Sequence, residues 1–171
     1  MDKDGVEDGD QGKNRRPWDH NRDYVGESIY PEVASVRRLV AERCGNHLDL
    51  AFDLHCPWIK GFLNEFPYFV GGQDPLIWQE TNRFSDILAE IRRGPIPFYR
   101  ENNLPFGMDW NTGSEPGRRS FAEWASTLPG IRLASTLEFP YANALGAEVN
   151  PESDRAFGMD VSEAIVHYLK G

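Results

Sequence analysis

The sequence has only two cysteines, no long apolar run and fewer basic than acidic residues, and each shortage excludes a class of protein. Cys44 and Cys56 are too few for a disulfide-rich domain, and we interpret them as free thiols. No stretch approaches the ~18 consecutive apolar residues that suggest a membrane-spanning helix. The 18 basic and 27 acidic residues give a net charge of −9, which argues against a nucleic acid or an anionic membrane as a partner.

Several common functional motifs are also missing. The sequence contains no nucleophile elbow, no Walker loop and no dinucleotide-binding fingerprint. Residues 1–10 hold five acids and one lysine, which does not fit a secretory signal peptide. Residues 2–12 combine Asp with Gly, as calcium loops do, but they lack the spacing and terminal Glu of an EF-hand. We therefore favour a solvated turn over a calcium site at this end of the chain.

Hydrophobic periodicity predicts an α/β fold, and the length of 171 residues suits a single domain spanning 1–171. Residues 1–30 have no period and are predicted to be loop or disordered. Helices are predicted over 31–44, 75–92, 120–127 and 153–169, the last one capped by Ser153. Strands are predicted over 47–55, 65–71 and 131–139, the first of them central, with loops over 94–120 and 140–153. Because strands alternate with helices, we expect a mixed, largely parallel sheet flanked by helices.

Two predicted strands end in residues that can carry chemistry. His55 ends the first strand, and Glu138 lies near the end of an otherwise apolar third strand. The carboxyl ends of strands in an open α/β sheet are a common place for a functional site. A carboxylate there must be desolvated, paired or close to a metal. The alternatives are a Glu138 that faces solvent at a sheet edge and a His55 that is hydrogen-bonded within the core.

An arginine-rich segment precedes the first predicted helix. Arg22 follows Asn21, and Arg15 lies a few residues upstream. A planar guanidinium beside an amide is well suited to hold a carboxylate through two hydrogen bonds. The alternative is that these are surface arginines that neutralise Asp19 and Asp23.

In their order along the chain, these segments resemble the zinc carboxypeptidases of the carboxypeptidase A type, over about residues 2–140. Asp2-Lys3-Asp4-Gly5-Val6 is similar to the family's Asn-Pro-Asp-Gly loop. Asn21-Arg22 is similar to its carboxylate-binding pair, Asp53-Leu54-His55 to the segment with the third zinc ligand, and Thr136-Leu137-Glu138 to the strand with the catalytic Glu. The sequence contains no His-x-x-Glu, the motif that supplies the other two zinc ligands, and no match to the family's capping Tyr near residues 114–118.

The resemblance implies a partial carboxypeptidase-like fold and a zinc-dependent hydrolase of peptide or amide bonds, with this chain as its C-terminal portion. It assigns His55 to the metal, Glu138 to the general base and Arg15 (or Arg16) to the oxyanion. Asn21 and Arg22 would bind the free carboxylate of a peptide or small amide substrate. Zinc is expected only where the two upstream ligands are present. The alternative is a non-catalytic module that binds peptide C-termini.

Overall fold

The computed structural model describes residues 3–9, 15–45 and 47–171 as a mixed α/β protein. Its helices are α1 (Lys3–Asp8), α2 (Pro31–Cys44), α3 (Pro75–Ile91), α4 (Phe121–Ala125) and α5 (Pro151–Lys170). Its strands are β1 (Leu50–His55), β2 (Tyr68–Val70), β3 (Leu133–Glu138), β4 (Asn143–Ala144) and β5 (Ala147–Glu148). Short 3₁₀ turns occur at His20–Arg22 and Arg100–Asn102.

The chain divides into two compact units. Unit 1 comprises the described residues within 1–51 and 113–134, and unit 2 comprises 52–112 and 135–171. Because two compact units can belong to one folding domain, the prediction of a single domain stays a prediction.

The main sheet has three strands in the order β1-β3-β2, so β3 is central and β1 lies at an edge. Backbone hydrogen bonds join Arg132 N to Asp49 O and Phe139 N to His55 O, so β1 and β3 run parallel. β2 is antiparallel to β3, with Tyr68 opposite Glu138. The predicted central position of β1 and the largely parallel sheet are therefore wrong. The short β2, which follows an irregular segment rather than a helix, introduces the antiparallel pair.

The helix ends follow ordinary capping chemistry. Pro31 and Glu32 begin α2, and Gly45 ends it in the left-handed conformation with φ of 58°. The Asp74 side chain accepts the N–H groups of Leu76 and Ile77 at the start of α3. These two helices confirm the predictions for 31–44 and 75–92.

The last helix begins two residues earlier than predicted. Asn150, and not Ser153, is its N-cap, and Ser153 completes a capping box by accepting the Asn150 N–H at 2.9 Å. The helical spacing of Val161, Ile165 and Leu169 predicts that they face inward, but Leu169 is 48% exposed. The buried stripe of α5 comprises Ser153, Phe157, Asp160, Ala164 and Tyr168.

Two predicted irregular segments contain regular structure, and a third is mostly irregular as predicted. Lys3–Asp8 forms α1 where loop or disorder and a turn were expected, and the 140–153 loop contains the β4–β5 hairpin. The 94–120 segment is irregular apart from one 3₁₀ turn. Asp2 and residues 10–12 of the calcium alternative lie outside the described residues.

Each unit has its own apolar core. In unit 1 the buried cluster comprises Tyr24, Val33, Ala51, Trp124, Ala125 and Ala134. In unit 2 the buried aromatic residues comprise Tyr68, Phe69, Phe84, Phe98, Phe157 and Tyr168. No helix within the described ranges is long and apolar enough to cross a membrane.

Candidate functional site

The ends of β1 and β3 bring His55 and Glu138 together in unit 2. Phe139 N donates to His55 O at 2.8 Å, so the last residues of these two parallel strands are joined through the backbone. Glu138 is 6% exposed on the central strand. The alternative of a solvent-facing Glu138 at a sheet edge is therefore wrong.

His55 ends an edge strand and keeps 39% of its side chain exposed, so it is not a core histidine. Its Nδ1 lies 3.1 Å from Oδ1 of Asp53. The two residues are two positions apart in a strand, so their side chains project from the same face. The Asp53 carboxylate therefore lies beside one ring nitrogen of His55, and the other nitrogen is the one that would act as a ligand or base.

The charge of Glu138 also raises the pKa values of three further residues, which the sequence did not identify as site residues. Tyr68 faces Glu138 across the β2–β3 pair and is 1% exposed. Cys56 directly follows His55 and is exposed, and Tyr141 is 54% exposed. We call His55, Cys56, Tyr68, Glu138 and Tyr141 the strand-end cluster.

The titration behaviour of this cluster reflects burial and negative charge. Partial burial and the charges of Glu138 and Asp154 raise the pKa of the Cys56 thiol. Burial, followed by the charge of Glu138, also raises the pKa of Tyr68 strongly, and a hydrogen bond with the Trp110 side chain only partly offsets this. Burial and the charges of Cys56 and Glu138 raise the pKa of Tyr141. At neutral pH the thiol and both phenols are therefore protonated beside a carboxylate.

The other predicted site residues belong to unit 1. Arg22 and Arg15 are both partly buried, and Arg22 donates to the backbone oxygen of Asn21 at 2.8 Å. The side-chain oxygen of Asn21 accepts the Phe121 N–H at 2.7 Å, where α4 begins. This bond orients the Asn21 amide so that its nitrogen is the group that would donate to a carboxylate.

The carboxylates near Arg22 do not neutralise it. Asp23 is 2% exposed and accepts the Trp18 indole N–H and the Tyr30 N–H, each at 3.0 Å. Within the described part of the chain, Arg22 forms no ion pair. Arg22 therefore forms no ion pair with Asp19 or Asp23, and its role in binding a carboxylate stays a prediction.

Of the five predicted site residues, the structure brings two together in unit 2 and two others in unit 1. His55 and Glu138 meet in unit 2, whereas Asn21 and Arg22 are consecutive residues in unit 1. That His55, Glu138 and Arg22 meet in one pocket stays a prediction.

No group of three His, Cys, Asp or Glu side chains that could hold a metal ion occurs among the residues the structure describes. His55 with its Asp53 neighbour has the chemistry of one zinc ligand, but a catalytic zinc normally takes three protein ligands and a water. The described residues therefore fit one ligand of a zinc site and do not complete it.

No family model matches the sequence, and no curated protein matches it. Membership in the zinc carboxypeptidase family stays a prediction.

Proposed function

We propose that this chain contributes the general base, one zinc ligand and the carboxylate-binding residues of a metallocarboxypeptidase-like hydrolase of peptide or amide bonds. The observation that carries the proposal is the meeting of His55 and Glu138 at the ends of neighbouring parallel strands. Support also comes from the burial of Glu138 and from the Asp53 carboxylate beside His55. The carboxypeptidase-like fold is part of the same proposal.

Each residue has a role that its surroundings allow. Glu138 would accept a proton from the attacking water, and its buried position shields that carboxylate from bulk solvent. The amide nitrogen of Asn21 and the guanidinium of Arg22 would donate to the substrate's terminal carboxylate, and Arg15 would stabilise the oxyanion. Zinc, held by His55 and two ligands that the described residues do not supply, would lower the pKa of its bound water.

The gene offers the first test. We expect an in-frame His-x-x-Glu upstream of the codon for Asp2, because that motif would provide the two missing ligands. A stop codon directly before Met1 would contradict a zinc-dependent hydrolase.

The second test is hydrolysis by the full-length product of the gene, measured on blocked peptides with a free C-terminus. We expect Glu138→Gln to lower kcat by about 10²–10⁴-fold, because it removes the proton acceptor while nearly preserving shape. The matched control is Glu148→Gln on β5, where the side chain is exposed. Elemental analysis should show zinc in both variants and a loss of zinc in His55→Ala.

Equal hydrolysis by Glu138→Gln and the control would overturn the catalytic role of Glu138. Circular dichroism of each variant shows whether a lost activity comes from a lost fold.

The second candidate function is a non-catalytic module that binds the C-termini of peptides. It is favoured by the absence of a three-ligand metal group from the described residues and by an Arg22 that has no carboxylate partner there. It predicts binding of peptide acids, weakened by Arg22→Ala, without stoichiometric zinc or hydrolysis in the full-length product.

A further inference from the structure

Two segments of unit 1 that are far apart in sequence run side by side. Tyr24 N donates to Arg119 O at 3.1 Å, and Asp23 forms an isolated parallel bridge with Arg119. Phe121 N donates to the Asn21 side chain across a separation of 100 residues. These bonds place the backbone of Arg119 beside that of Asp23 and Tyr24, which directly follow the Asn21-Arg22 pair in sequence.

A second arginine reinforces this alignment. The guanidinium of Arg118 lies 3.6 Å from the centre of the Trp18 ring and donates to Gly117 O at 3.1 Å. A cation stacked on an indole ring is held in a defined position. We call Arg22, Arg118 and Arg119 the arginine strip.

The three side chains of the arginine strip form no ion pair with the described residues. Four other arginines do pair with carboxylates, namely in Arg38–Glu42, Arg83–Glu80, Arg93–Glu163 and Arg100–Asp86. Within residues 15–45 and 47–171, no such ion pair involves the partly buried side chains of Arg22, Arg118 or Arg119.

Two nearby carboxylates, those of Glu123 and Asp23, accept hydrogen bonds from neutral donors instead. Glu123 accepts the N–H groups of Ser114 and Ser120, at 3.0 and 2.7 Å, and the Ser114 hydroxyl. Asp23 accepts from Trp18 and Tyr30. In a chain of net charge −9, arginines kept apart from carboxylates in this way are available to an anionic ligand.

We propose that Arg119 is a specificity-determining residue that extends the Arg22 site to ligands with two carboxylates, namely peptide ends whose last residue is acidic. This inference rests on the proposed function, which assigns the terminal carboxylate to Arg22. Arg119 binds the side-chain carboxylate of the peptide's last residue. The stacking of Arg118 on Trp18 positions the segment of the chain that contains Arg119. An acidic residue at the end of a peptide has two carboxylates, one terminal and one in its side chain. The guanidinium groups of Arg22 and Arg119 lie on separate segments, so each can bind one of them.

The test is calorimetric titration of the chain with three blocked tripeptides that end in Glu, in Gln and in Gln with an amidated C-terminus. We expect the Glu peptide to bind about tenfold more tightly than the Gln peptide, the size of one charge-assisted hydrogen-bonded pair. Arg119→Gln should abolish this difference in affinity. Arg119→Lys, which retains the charge without the planar fork, should restore part of it.

The matched control is Arg155→Gln, because Arg155 is exposed and donates only to Pro151 O of its own helix. Equal affinity for the Glu and Gln peptides in the unchanged protein would overturn the role of Arg119 and leave that of Arg22 standing. If the acid and amide forms of the Gln peptide also bind equally, the carboxylate site of the proposed function fails as well.

Discussion

The strand-end cluster and the arginine strip differ in charge and in the interactions that hold them. The strand-end cluster surrounds a buried carboxylate, Glu138, and its thiol and phenols have raised pKa values. The arginine strip presents cations, and its neighbouring carboxylates are bound by neutral donors. One region is therefore arranged around a buried carboxylate, whereas the other presents arginines that form no ion pair with the described residues.

The supports of the two regions differ as well. Below the strand-end cluster, the rings of Phe52, Phe69 and Phe84 contact one another with centroid distances of 5.0–5.6 Å. Around the arginine strip, the buried Asp23 and the partly buried Glu123 accept hydrogen bonds that hold the irregular backbone. Strand ends are positioned by hydrogen bonds to neighbouring strands and by apolar packing, whereas an irregular segment must satisfy its polar groups locally.

The largest expected effect is a core truncation under the strand-end cluster. Phe84 is fully buried, so Phe84→Ala should lower the free energy of unfolding by about 3–5 kcal/mol in urea titrations. The control is Leu76→Ala on the same helix, where the side chain is 70% exposed and the change should stay within about 0.5 kcal/mol. A small loss for Phe84→Ala would contradict the view that aromatic packing holds this region.

A smaller effect should follow from removal of a carboxylate that supports the arginine strip. Burial alone would raise the pKa of Glu123, but hydrogen bonds from Ser114 and Ser120 outweigh it and lower that pKa below its ordinary 4.5. The stabilisation is therefore fully present above pH 4.5 and is lost as the pH falls through the folded value. Glu123→Gln should cost about 1–2 kcal/mol at pH 7 and less at pH 3.

Urea titrations at both pH values measure this, with Glu115→Gln as the control because Glu115 is exposed. A cost for Glu123→Gln that does not change with pH would show that the ionised form of Glu123 is not what stabilises the segment.

The smallest expected effect concerns the charge of the strand-end cluster. Since partial burial and the charge of Glu138 raise the pKa of Cys56, little of this exposed thiol is thiolate at pH 8. Glu138→Gln removes one repelling charge, so alkylation of Cys56 by iodoacetamide should become roughly twofold to fivefold faster. Mass spectrometry of the peptide containing Cys56 measures the rate, and Glu148→Gln should leave it unchanged. Slower alkylation in Glu138→Gln would contradict the assigned electrostatics.

Local patterns predicted the long elements well. Pro31 and Gly45 bound α2, and Asp74 with Pro75 begins α3, because capping depends on neighbouring residues only. The position of β1 at the sheet edge and the antiparallel β2 were not predictable in this way, because strand order depends on pairing between distant segments. The start of α5 was missed by two residues, since both Asn150 and Ser153 are good capping residues.

The sequence by itself determined the mixed α/β class, the main helices, and the candidacy of His55, Glu138, Asn21 and Arg22, since periodicity and residue chemistry are local properties. Only the tertiary structure placed Tyr68 opposite Glu138 and the backbone of Arg119 beside that of Tyr24, and only it showed that Glu138 is buried. The physical reason is that burial and neighbourhood come from contacts across tens of residues. No short stretch of sequence encodes such contacts alone.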